Sequence, residues 1–161
     1  FGLTYDTLGG FISSMALLAI VLSDFKEMVI LDSTIVTSTI LVYIITFMEY
    51  GIRGMYKSFL YGIFGFVLMF VIKILGDALF KRESLGGGDI KLAFLIGSIL
   101  PYNLFLISLV VGSTVALPYA LIISIKDKTH ELPFGPFLML GLLIVFFFKN
   151  DIINILSLLV V

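Results

Sequence analysis

The sequence predicts an all-α protein, a polytopic transmembrane helical bundle of about six spans, on two observations. Of 161 residues, 60% are hydrophobic and 13% charged, where soluble domains carry about half and about a quarter. Mean hydropathy is +1.20. A soluble fold would need a core with almost no polar shell to hide this surface. The second observation is pattern: long apolar runs alternate with short polar ones along the whole chain.

In order, the first span covers roughly Leu8 to Ser23, the second Thr34 to Met48 and the third Ser58 to Phe80. The fourth runs from about Asp89 to Leu100, the fifth from Asn103 to Ile125 and the sixth from Phe134 to Phe148. A helix needs about 20 residues to cross roughly 30 Å of hydrocarbon. The fourth run, cut off by Pro101, is shorter than that. It reads as a short or partly re-entrant helix whose ends are shielded by protein or water. The tail from Ile152 to Val161 is too short to cross alone and reads as interfacial or packed on the bundle. No repeat or linker divides the chain, so residues 1–161 read as one membrane-embedded domain. Nothing at Phe1 resembles a signal peptide, and the start reads as internal to a longer protein.

Parity fixes sidedness. Two spans separate Asp24 from Asp89, so both carboxylates emerge on one side, and the Ile125–Pro133 loop joins them there. That side carries Lys26, Lys81, Arg82, Lys91, Lys126 and Lys128, against Arg53, Lys57 and Lys149 opposite. Basic residues favour the cytoplasm. The aspartates are therefore expected to face the cytoplasm from the cytoplasmic (inner) membrane, with Phe1 outside.

Several chemistries are excluded. A net charge of −1 gives no basic case for nucleic acid. With no Cys and one His, thiol catalysis and Cys- or His-rich metal sites are ruled out. No cofactor or metal is implied.

What remains is carboxylate chemistry. Asp24 closes one apolar run, and Asp89 opens another directly after Gly86-Gly87-Gly88. Acidic residues at the mouths of membrane helices are costly to desolvate and are functional candidates, although helix ends are also where charges belong. Asp89 would serve as N-cap of the helix that follows, which accounts for the acid but not for three glycines. Glycines leave the acid unobstructed and permit unusual backbone conformations, as an extended substrate lying alongside would require. The P-loop alternative fails, since its lysine, hydroxyl and preceding strand are missing. Two facing carboxylates cannot both ionise and so share a proton. One then takes a proton from water as it attacks a peptide carbonyl, while the other, protonated, polarises that carbonyl and later helps the amine leave.

The segment Asp24 to Asp32, then Gly86-x-Gly88-Asp89-x-Lys91-Leu92, then Pro133-Phe134-Gly135-Pro136-Phe137 together resemble the bacterial type IV prepilin peptidases. These are membrane proteases of the Gly-x-Gly-Asp aspartyl class. The resemblance implies Asp24 and Asp89 as catalytic pair and Gly86, Gly87 and Gly88 as the substrate-binding glycine segment. It implies, as partners, a lipid bilayer and the basic leaders of prepilins and pseudopilins, cut between Gly and a hydrophobic residue at the cytoplasmic face. Leu31 stands where many relatives have Pro, and the paired Cys-x-x-Cys zinc sites of the methylating domain in many bacterial members have no counterpart. The archaeal preflagellin peptidases share the two-aspartate logic and are an alternative. A cation-coupled transporter and a noncatalytic assembly subunit are rivals from other classes.

Secondary candidates carry plainer expectations. Asp32, with Glu27 and Glu83, could steer a basic leader, though capping the second span by Asp32 or Ser33 is the expected role. Lys91 would tune Asp89 or meet headgroups, and His130 would be solvated. Pro136 suits a first helical turn, as the rigid entry to the sixth span.

Overall fold

The computed structural model describes residues 32–81, 85–126 and 134–159. These residues form five helices and no strand: α1 (Asp32–Phe80), α2 (Gly87–Ile99), α3 (Tyr102–Lys126), α4 (Gly135–Phe147) and α5 (Lys149–Leu159). Helices follow from the composition, because an apolar segment out of water must satisfy its backbone groups internally. Asp24, the first expected span and most of the loop before Phe134 lie outside the described residues.

The expected second and third spans are one 49-residue helical run, broken only at Gly51, where φ is 66° and ψ −163°. The stretch Glu49 to Lys57, which lies between the expected second and third spans, is helical apart from that residue. Only glycine holds such a conformation at low cost, so a single residue makes the turn. The two arms fold back on one another. Tyr43 and Phe59 have ring centroids 6.5 Å apart, whereas a straight helix would separate 16 residues by about 24 Å.

Both arms pack on α2, in opposite directions. Along the first arm, Asp32 meets Lys91 and Tyr43 meets Ser98. Along the second, the Ser58 hydroxyl donates to the Ser98 carbonyl and Lys73 donates to the Leu85 carbonyl. Asp32, Lys73, Leu85 and Lys91 therefore share one end of the bundle. Gly51 and Ser98 mark the other.

The short fourth run is the centre of the fold. Eight of the 13 residues of α2 are buried, among them Leu92, Leu95 and Ile96. It ends at Leu100, held extended (φ −106°, ψ 138°) as the residue before Pro101 must be. Helices approach through small residues, as membrane bundles do. A side chain at Gly97 would strike the Tyr61 carbonyl, and one at Gly141 the Ser108 carbonyl and Gly112 backbone.

Among the described residues, two helices, Asp32–Leu79 and Tyr102–Ile122, are long and apolar enough to cross a membrane, the first of them folded at Gly51. Gly135–Phe147 and Lys149–Ile155, bent by 74°, make a third if counted together. The tail expected from Ile152 is thus already helical from Lys149 and turns away from α4. Outward faces are apolar, with Ile44 50% and Val110 66% exposed. This is a membrane protein.

Candidate active site

Asp89 lies in the first turn of α2 and is only 7% exposed. The N-cap is Gly86, not Asp89 as expected. Gly86 is extended (φ −67°, ψ 147°), and its carbonyl accepts the Asp89 N–H at 3.2 Å. Asp89 is instead the third helical residue, where the partial positive charge of the helix N-terminus favours a carboxylate. Gly87 and Gly88 belong to the helix rather than to a loop.

The glycines have a spatial role. Gly51 has positive φ; Gly86 does not. A Cβ at Gly86 would stand 3.4 Å from Asp89 Oδ2, and one at Gly87 would meet nothing within 4 Å. Gly86 therefore keeps a side chain off one flank of the carboxylate, as expected of a glycine beside the acid. The unusual backbone conformation also expected of the glycines is not found at Gly86, which is ordinary extended backbone.

Lys91, expected to tune Asp89 or meet headgroups, engages Asp32. Its ammonium donates to Asp32 Oδ1 at 2.8 Å and to Oδ2 at 2.7 Å. Both side chains are about half exposed or more, 52% and 63%. The pair joins the start of the first arm to the start of α2, and Asp32, expected as a cap or a steering charge, is one half of that joint.

Lys73 lies inside the third apolar run, where the sequence alone gives it no role. Its ammonium donates to the Leu85 carbonyl at 2.7 Å and lies 3.5 Å from Asp77 Oδ2. It thereby holds the residue before Gly86 against the second arm. The signal was present in the sequence, since a lysine inside an apolar run needs a partner.

From the Asp32–Lys91 pair an apolar groove of about 560 Å3 runs between the two arms over α2, walled by Ile35, Ile40, Ile63, Phe66 and Phe94. At the entry to α4, Pro136 lies in the first turn, as expected, and Gly135, Pro136 and Phe137 are buried. Glu27, Glu83, His130 and Pro133 lie outside the described residues. Among the described residues, no three His, Cys, Asp or Glu side chains gather as a metal site would require.

The sequence model of the type IV leader peptidase family matches residues 11–121, more than half of the chain. The chain belongs to the type IV leader peptidase family. The matched stretch contains Asp24, Gly86 to Gly88 and Asp89 and stops short of Pro133. A relative in this family is the prepilin leader peptidase/N-methyltransferase of Xanthomonas campestris pv. campestris, 32% identical over 96 residues. That alignment takes in 56% of this chain, and the chain spans about a third (32%) of the relative's length. No solved structure matches.

Proposed function

We propose that this leader peptidase family member is an aspartyl endopeptidase. It removes the N-terminal leader of type IV prepilins or pseudopilins at the cytoplasmic membrane face, with Asp24 and Asp89 as its catalytic pair. The observation that carries the reading is the setting of Asp89. It is a nearly buried carboxylate in the first turn of the central helix, with glycine in place of a side chain beside it.

The reading assigns six spans to one domain, the first from Leu8 to Ser23. Seven residues separate Asp24 from Asp32, a reach of at most about 28 Å over the eight steps. Asp32 is anchored by Lys91, two residues past Asp89. The chain can therefore bring the two aspartates together at one end of the bundle.

In the reaction, one carboxylate takes a proton from water as its oxygen adds to the scissile carbonyl. The other, protonated, gives its proton to the carbonyl oxygen. Collapse of the tetrahedral intermediate returns one hydroxyl proton to the second carboxylate and breaks the C–N bond, and the amine leaves with the proton first taken from water. Gly86 to Gly88 would admit an extended leader, whose helical peptide bonds would otherwise be shielded. The apolar groove would receive the hydrophobic residue after the cut.

The test is incubation with a prepilin in detergent or lipid, reading the new N-terminus by mass spectrometry. Asp24→Asn and Asp89→Asn, made separately, each abolish cleavage while inserting normally. Cleavage by both variants at the wild-type rate would remove the enzymatic reading.

A further inference from the structure

All three basic residues that parity assigns to the side away from Asp89 line one cavity. It has a volume of about 720 Å3 and receives Arg53 and Lys57 from the second arm of α1 and Lys149 from the start of α5. Arg53 and Lys57 are four residues apart, on one helical face. Lys149 arrives from a chain segment nearly a hundred residues later, because α4 and α5 turn at Phe148. Among the described residues of the lining, the three basic side chains face one carboxylate, Glu49. Neither Arg53 nor Lys57 is paired among the described residues, while Lys149 lies 5.4 Å from the Phe146 ring centroid.

The interior has the opposite character. Val42, Leu100 and Leu104 in its lining are buried, with Ser58 and Ser98 as the buried polar residues beside them. Tyr50 and Tyr61 also line it, aromatic rings with a polar tip of the kind that settles at headgroup level. A cationic rim over an apolar interior, at the end of helices with apolar outer faces, matches an amphiphile with an anionic head. A soluble anion would use the rim and leave the interior wet.

We propose that this cavity is a binding site for an anionic phospholipid. The phosphodiester sits between the Arg53 guanidinium and the Lys57 and Lys149 ammonium groups, and an acyl chain lies along Val42, Leu100 and Leu104. Arginine supplies the fork that fits phosphate oxygens. The site stands apart from the peptidase machinery, at the other end of the bundle.

The test is native mass spectrometry of the full chain released from detergent, with phosphatidylglycerol or phosphatidylcholine of identical acyl chains. Wild type retains phosphatidylglycerol in preference to phosphatidylcholine. Replacing Arg53, Lys57 and Lys149 with Gln weakens that retention about a hundredfold, at roughly fivefold per cation. The charge-conserving set Arg53→Lys, Lys57→Arg and Lys149→Arg keeps it, which separates lost charge from lost fold. Equal retention of the two lipids, unchanged retention in the Gln variant, or displacement by sn-glycerol 3-phosphate as readily as by added lipid overturns the proposal.

Discussion

Asp32 and Lys91, 59 residues apart in the chain, meet as an ion pair in which one ammonium serves both carboxylate oxygens. The pair closes the end of the bundle where Asp89 lies. Because both side chains are well exposed, it contributes at most about 1 kcal/mol to stability. Its effect lies in fixing where the chain from Asp24 arrives relative to α2.

Asp32→Asn and Lys91→Met should each lower stability by less than about 1 kcal/mol, measured by thermal denaturation in detergent. Each should slow leader cleavage several-fold. The exchanged pair, Asp32→Lys with Lys91→Asp, should recover part of both losses. If the exchange recovers neither, the pair is not acting as a joint.

Gly51 makes a different demand. Its φ of 66° and ψ of −163° lie where essentially only glycine is found, and a Cβ there would meet nothing within 4 Å. The cost of Gly51→Ala is therefore conformational rather than steric, about 1–3 kcal/mol. Equilibrium unfolding should show that loss, while Arg53→Gln, two residues on and on an exposed helical surface, should show little.

Two further glycines separate packing from access. Gly97→Val drives a side chain into the Tyr61 backbone and should cost about 1–3 kcal/mol or more, with cleavage lost in proportion to the folded protein. Gly86→Ala places its methyl beside Asp89 Oδ2, with no closer neighbour. Stability should fall by no more than about 1 kcal/mol, the cost of alanine at a helix N-cap, while cleavage falls at least several-fold. A fully active Gly86→Ala enzyme would show that the open flank of Asp89 is not used.

Lys73→Met removes the donor from the Leu85 carbonyl and should cost about 1–2 kcal/mol, the usual penalty for a partly buried acceptor left without its bond. Leader cleavage should fall with it, since Leu85 leads directly into Gly86. Unfolding and cleavage measured on the same preparation check both.

Much of this was legible in the sequence because it depends on local rules. Pro101 ends α2 and Pro136 opens α4 as their ring chemistry requires, and the short run from Asp89 to Leu100 announced a shielded helix. Other features depend on contacts between distant segments. No local pattern distinguishes Gly51, which takes the whole bend, from the other glycines in apolar runs. The N-cap was misplaced by three residues because Asp is also favoured inside a first turn, and the dipole that rewards it there acts on several positions at once. The partners of Lys91 and Lys73 come from segments brought close only by the fold.

The central claim is that Asp24 and Asp89 meet at one end of the bundle. The chain has no cysteine, so Asp24→Cys combined with Asp89→Cys gives two unique sites for spin labels, and their separation can be read in lipid by pulsed electron resonance. The account predicts a distance below about 20 Å, including the label arms, with or without a bound leader peptide. A separation near or above the roughly 30 Å hydrocarbon thickness, persisting when a leader peptide is added, would contradict it.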